Sequence, residues 1–435
     1  MKKVLVITYY WPPSGGAGVQ RWLKFVKYLN EFGWEPIIYT PENPEVPAID
    51  NSLIKDVPEG LLVLKTKVWE PYSAYKRFVG RKKNDSIKAG FLSEKKNLSF
   101  TEKIAVYVRG NYFIPDARKY WIKPSIKYLL EYLKDNPVDV MVSTGPPHSM
   151  HMIALGIKEK LNIPWLADFR DPWTNIDFYD KLMLSSSADK KHKRMEQQVL
   201  KTADQLVTVS WNWAKDFEDL GAGKTEVITN GFDPEDFENN KENSSEKFEI
   251  IHIGSMNKDR NPKILWEVLS ELVKEDIAFA DQLKIIFIGQ TDYSVFEEIE
   301  KQNLPAFVEK IDYKPHDELM ATAGFASVLL LPLNDTPNVN GIIPGKLFEY
   351  LALNKPIFCI GPEDGDSAKI IKECNAGVVT GFDDKGKMKS EMLKLFEAFT
   401  LRKKITIENS TNRNKYSRQK LAGKMTGLLD ELIKK

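Results

Sequence analysis

Two hydrophobic periods follow one another along this chain many times over. An apolar run at residues 4–10 reads as a buried strand. It breaks at Pro12-Pro13-Ser14-Gly15-Gly16-Ala17-Gly18. Residues 20–32 then carry Trp22, Phe25, Val26 and Leu29 on one helical face, and Gly33 stops that helix. Residues 35–40 form a second strand and 61–68 a third. A βαβ unit with a glycine-rich first turn is the entry to a doubly wound sheet. The spacing is not G-x-G-x-x-G, so the glycines either admit a phosphate or substrate close to the backbone or only form the turn. Between 69 and 113 the periodicity dissolves. It resumes with a helix at 122–134, a strand at 138–143, the turn Gly145-Pro146-Pro147-His148, a helix to 161 and a strand at 164–168. A charged helix at 189–202 and strands at 205–210 and 226–229 complete this half.

Residues 233–247 are polar, acidic and aperiodic, and read as a linker. The alternation then restarts. Strands are expected at 248–253, 283–288, 307–311, 326–331, 356–360 and 377–380. Helices are expected at 262–274, 294–302, 316–323, 367–373 and 387–399, with at least one more in 413–435. The pattern predicts an α/β chain of two Rossmann-like, doubly wound domains facing a cleft, residues 1–232 and 248–412.

The second half carries a distinctive stretch, Val339 to Ala352. An apolar strand leads into a loop broken by Gly341, Pro344 and Gly345, and Leu347, Phe348, Tyr350 and Leu351 follow at helical spacing. A helix N-terminus offers unpaired N–H groups and a positive dipole end, which suits a phosphate. Lys346 puts a cation in that first turn, a placement that opposes the dipole by a few tenths of a kcal/mol, roughly, unless an anion lies between them. Glu349, about one turn on, can accept hydroxyl hydrogen bonds from a sugar ring. A plain loop with a surface Lys–Glu pair gives the same pattern.

Composition narrows the function classes. With 42% hydrophobic and 28% charged residues the chain is of globular type, and its net charge of +1 gives no general attraction to nucleic acid. Cys359 and Cys374 make neither a disulfide framework nor a ligand cluster, and fit a reducing, cytoplasmic setting. The apolar run after Lys2-Lys3 ends too soon for a signal peptide, and no run of about 18 apolar residues would span a membrane. Charge is uneven, however. Residues 65–105 hold eleven lysines and arginines against four acids, a local +7, interleaved with Trp69, Tyr72, Tyr75, Phe78, Phe91 and Phe100. Such an excursion is either a solvated loop or a peripheral contact with an anionic membrane surface. Asp364-Gly365-Asp366 looks like a D-x-D metal motif, but it precedes a helix that Asp366 would cap, so no metal is expected there.

Ligands of open α/β sheets bind beyond the carboxyl ends of the strands. His148, Asp168, Arg170 and Asp171 all fall at such ends. For His148 a structural role near a helix start stands beside a functional one. Arg170 and Asp171 either serve an acceptor or pair with each other or the sheet edge.

Taken together, Gly15-Gly16-Ala17-Gly18, Asn230-Gly231-Phe232-Asp233, Ile253-Gly254 and Gly345-Lys346-Leu347-Phe348-Glu349-Tyr350-Leu351-Ala352 resemble the family-four retaining glycosyltransferases of GT-B fold. The resemblance covers nearly the whole chain. It implies a nucleoside diphosphate sugar donor bound by the second domain, a glycan or lipid-linked acceptor bound by the first, no metal cofactor, and a last helix packing back on the first domain. It implies donor contacts at Gly16, Gly254, Arg260, Gly345, Lys346 and Glu349, with His148 or Asp168 touching the reacting sugar or the acceptor, and Arg170 and Asp171 on the acceptor side. Backbone N–H groups at Gly345, with Arg260 and Lys346, would stabilise the leaving diphosphate. The sequence also departs from the family. The first of its two glutamates is replaced by Gly341, the arginine after the glycine that opens the second domain is Ser255, and the lysine five residues on is Arg260. Lys346 stands where the missing charge would be needed. A GT-B nucleotide-sugar epimerase and a non-catalytic sugar-nucleotide-binding partner are the competing readings.

Overall fold

The computed structural model describes residues 1–46, 48–70, 100–237, 245–312, 316–401 and 410–434. It divides into two compact units.

The first unit holds Met1–Thr229 and the chain from Arg418 onward. Its sheet comprises β1 (Lys2–Ile7), β2 (Trp34–Pro41), β3 (Leu62–Thr66), β4 (Val140–Gly145), β5 (Trp165–Phe169), β6 (Gln205–Thr208) and β7 (Thr225–Val227). All pairings are parallel, in the order β3-β2-β1-β4-β5-β6-β7. Helices cover both faces, so Val4 to Ile7 are fully buried, as a parallel sheet requires. The helix Ala17–Leu29 buries Trp22, Phe25, Val26 and Leu29 against it. Leu421, Met425 and Leu429 of the helix Arg418–Leu432 join that same core. The strand order reverses between β1 and β4, which opens a crevice at their carboxyl ends.

The second unit, Asn230–Ser417, is built around β8 (Phe248–Ile253), β9 (Leu283–Ile288), β10 (Val308–Ile311), β11 (Val328–Pro332), β12 (Ile357–Ile360) and β13 (Gly377–Thr380). The order is β10-β9-β8-β11-β12-β13, again all parallel. Phe248, Trp266, Phe279, Phe287 and Phe396 dominate its core. Both cysteines are free and buried here. The reversal lies between β8 and β11. Their pairing is short, with only Val328↔Ile250 and Leu329↔Ile251 in register. Two parallel sheets with flanking helices give the GT-B type of two Rossmann-like halves.

Three local expectations are corrected. The aperiodic region contains a helix, Phe100–Tyr112. Phe100, Ile104, Tyr107, Val108 and Tyr112 recur at helical spacing and are exposed, while Ala105 and Val106 are buried. Most of the basic stretch, residues 71–99, lies outside the described residues. The expected linker starts as a 3-10 turn, Pro234–Phe237, behind a buried Asp233, and the units divide after Thr229; residues 238–244 are outside the description. Asp366 does not cap its helix. Gly365 is the N-cap, and Asp366 is a buried first-turn residue of Asp366–Glu373, where a carboxylate suits the dipole. Among the described residues no helix is long and apolar enough to cross a membrane.

Candidate functional site

In the second unit the motif helix, Gly345–Leu353, begins beside the β8/β11 reversal. Pro344 precedes it in extended conformation with no side-chain cap, Gly345 is exposed, and the Leu347 N–H donates to the Pro344 carbonyl at 3.0 Å. Gly254 leaves β8 at φ +83, a left-handed conformation that favours glycine. The Lys346 side chain lies over this glycine; a Cβ added there would sit 3.5 Å from Nζ. The Lys346 ammonium donates to the Ile253 carbonyl at 2.6 Å and to His252 Nε2 at 3.3 Å. Burial, and then the positive charge of Arg260, press its pKa down to about 7, with Glu349 opposing. Arg260 Nε donates to Asn334 Oδ1 at 2.7 Å and Nη1 to the Ser255 carbonyl at 3.2 Å. Two cations and one carboxylate are therefore gathered at one strand end and one helix start. A cavity of about 330 Å³ opens beside Arg260, between Lys258, Lys263, Leu333, Ile360 and Phe382. It has the size of a small-molecule subsite.

His252 and Tyr350 carry this arrangement, and neither was singled out from the sequence. Where the β8–β11 ladder stops, their side chains replace it. His252 Nδ1 meets the Leu330 carbonyl at 3.0 Å, and Tyr350 Oη accepts from Ile253 N at 3.1 Å. Burial raises the Tyr350 phenol, which stays protonated. A histidine inside the otherwise apolar strand Phe-Glu-Ile-Ile-His-Ile was the available signal. Tyr350 gave none, because it occupies a core position of its helix.

The first unit places the remaining candidates around its own reversal. Gly16, at φ +96, is the N-cap of Ala17–Leu29 and belongs to the first unit; the other five donor candidates belong to the second. Asp168 is engaged inside the fold. It is fully buried, and its oxygens are taken by Arg21 (2.9 Å from Nη2), Trp22 Nε1 (2.7 Å) and Thr144 Oγ1 (3.0 Å). Burial alone would raise its carboxyl; the Arg21 guanidinium outweighs that and holds it below the usual range. Asp168 is thus an anchor joining β5, β4 and the first helix. Arg170 Nη1 donates to the Gly18 carbonyl at 2.7 Å and Nε to the Gly145 carbonyl at 3.2 Å, with Nη2 on the Pro146 carbonyl. It straps the two crevice loops together. Asp171, half-buried, has its carboxyl pushed up by burial, with Arg170 opposing.

His148 is the N-cap of Ser149–Leu161 but makes no capping bond. Its ring stacks on Trp173 at 4.6 Å, with 2° between the planes. Its Nδ1 and the Nε2 of His151 are buried without a hydrogen-bond partner. Burial, followed by the charges of His151, His192 and Arg170, holds the His148 pKa well below the usual histidine value. The ring is neutral at pH 7 and offers one lone pair and one N–H.

Residues 90–236 match the model of Glycosyltransferase Family 4. That stretch, about a third of the chain, is similar to this family. No curated protein sequence matches it significantly. Solved structures resemble it along nearly its whole length. A glycosyltransferase from Rickettsia africae superposes with a TM-score of 0.63 at 16% identity, covering 100% of this chain and 99% of that one. TarM of S. aureus, in a complex that includes UDP, gives 0.60 at 12% identity, with 99% and 100% covered. WaaG, a glycosyltransferase involved in lipopolysaccharide biosynthesis, gives 0.53 at 14% identity, with 99% of each chain covered. At these identities the likeness is one of fold, and it is the GT-B fold.

Proposed function

We propose that this glycosyltransferase moves a sugar from a nucleoside diphosphate sugar to a glycan or lipid-linked acceptor, with retention of configuration, in cell-surface polysaccharide assembly. The observation that carries the donor half is Lys346. Its ammonium has three N–H donors, and its two protein partners, a carbonyl and an imidazole, are both uncharged. Neither partner neutralises a positive charge there, so an anion can, at a helix start whose first residue, Gly345, is exposed. Lys346, Arg260 and the Gly345 end of the helix hold the diphosphate in this reading. Glu349 takes the ribose hydroxyls, and Gly254 lets the phosphates approach the backbone. Solved neighbours captured with UDP and with UDP-2-fluoro glucose support a donor of this class. On the first unit His148 meets the reacting sugar or the acceptor, and Arg170 and Asp171 shape the acceptor side. Asp168 is left out of the chemistry because all its reach is spent inside the fold.

One observation favours a peripheral site of action at the inner face of the cell membrane. Phe100, Ile104, Tyr107, Val108 and Tyr112 present exposed apolar surface along one helix, in a region whose sequence is strongly basic.

The donor reading is tested by thermal shift against nucleoside diphosphates and nucleotide sugars. Ligand at 100 times its Kd stabilises by about 2.7 kcal/mol. Release of nucleoside diphosphate only in the presence of acceptor supports transfer. Conversion of the nucleotide sugar alone would instead identify an epimerase, and binding without turnover a non-catalytic partner.

A further inference from the structure

We propose that His252 is a positioning residue for Lys346: its neutral Nε2 lone pair fixes the ammonium at the carboxyl end of β8 without neutralising it. The inference rests on the diphosphate reading of the Lys346 site. The Leu330 carbonyl can only accept, so Nδ1, 3.0 Å away, carries the imidazole proton. That leaves Nε2 as an acceptor, and Lys346 Nζ lies 3.3 Å from it. The Ser255 carbonyl is also within hydrogen-bond reach of this ring and accepts from Arg260 as well. The second partner of Lys346, the Ile253 carbonyl, belongs to the residue next to His252, so one strand end sets both contacts. His252 is 1% exposed and sits on a strand, not a loop, which fixes its ring.

A neutral acceptor matters here. A carboxylate in that place would form an ion pair and reduce the charge available to a ligand. A protonated imidazole would repel the lysine. Burial and the neighbouring Lys346 keep the His252 pKa well below the usual value, so the lone pair persists across the physiological range. The charged and titratable groups around the pair are Arg260 from the turn after β8, and Glu349 and Tyr350 from the motif helix. Histidine thus does at β8 what a second cation from Ser255 cannot do: it locates the one charge that the helix start brings.

The test compares UDP, GDP, ADP and their nucleosides by calorimetry on wild type, His252→Asn and His252→Gln at pH 7.5. Asparagine keeps a donor for Leu330 but lacks an acceptor at the Nε2 position; glutamine restores that acceptor. Loss of one hydrogen bond to a charged group predicts about a tenfold weaker Kd for the preferred diphosphate in His252→Asn. Nucleoside affinity should stay unchanged, and His252→Gln should return most of the loss. Diphosphate binding by His252→Asn at wild-type strength, while Lys346→Ala is impaired, overturns the role of His252 and leaves the donor site standing. An unimpaired Lys346→Ala removes the donor site itself. A measurement on the unmutated ring covers variants that do not fold. Long-range ¹H–¹⁵N correlation should show His252 as the Nδ1–H tautomer, with an Nε2 resonance that moves in Lys346→Ala. The opposite tautomer refutes the proposal.

Discussion

Replacing Lys346 with alanine deletes the ammonium that Ile253 and His252 hold, and leaves the helix start intact. A diphosphate would lose one charge-assisted hydrogen bond, about 1.5–3 kcal/mol. At about 1.4 kcal/mol per decade that raises Kd roughly ten- to a hundredfold. The bare nucleoside has no phosphate to lose and should bind as before. The pH dependence sharpens this. The Lys346 pKa of about 7 in the free protein rises when an anion binds, so binding takes up a proton. Wild-type affinity for the diphosphate should therefore fall by up to about tenfold per pH unit above 7, and Lys346→Ala should show no such slope. Stability moves the other way. Lysine in the unfolded chain titrates near 10.4, roughly, so between that value and 7 the unfolded state binds more protons and wild-type stability rises with pH. The variant lacks that rise and loses no net stability at pH 7, because the fold disfavours the charge it removes. Calorimetry with UDP and uridine from pH 7 to 9, beside urea melts of both proteins, reads every quantity. Equal weakening of nucleoside and diphosphate, or an unchanged pH slope in the variant, refutes the phosphate role of Lys346.

Glu349→Ala should weaken nucleoside and diphosphate together, since both carry the ribose; a loss confined to the diphosphate would reassign this carboxylate. Asp168→Ala should destabilise the protein by about 3–5 kcal/mol in denaturant melts, because it leaves Arg21 buried and uncompensated. A wild-type melt with lost activity would return Asp168 to the chemistry. Ile104→Glu with Tyr112→Glu should abolish flotation with anionic liposomes at low salt while leaving the melt unchanged, as exposed substitutions do within about 0.5 kcal/mol. If wild type does not float, the membrane contact is dropped.

The sheets were legible because fully buried parallel strands leave long apolar runs, such as Val328 to Leu331, with nothing else to confuse them. The helix Gly345–Leu353 was legible too, since Gly341, Pro344 and Gly345 break the chain just before its apolar spacing begins. The role of Asp168 was not. An aspartate at a strand end looks the same whether it meets a ligand or a buried arginine, and Arg21 lies 147 positions away in the chain. The helix Phe100–Tyr112 was missed although Phe100, Ile104, Tyr107 and Val108 recur at helical spacing, because the stripe follows a long aperiodic, basic stretch. His252 escaped notice because its importance comes from Leu330 and Lys346, residues joined to it only by the sheet order and the motif helix.

The first unit is assembled from two distant parts of the polypeptide, with the whole of the second unit encoded between them. Leu421, Met425 and Leu429 fill space beside Trp22 and Phe25 that earlier residues leave open. On a ribosome, the segment from Asn230 to Ser417 emerges as a continuous stretch with its own core and can collapse as it appears, whereas the earlier segment must wait, partly exposed, for the helix at 418–432. Arrest-peptide force measurements along the nascent chain should show one release of tension after residue 417 clears the tunnel and a later one after 432. The part of the enzyme made first is then the part finished last.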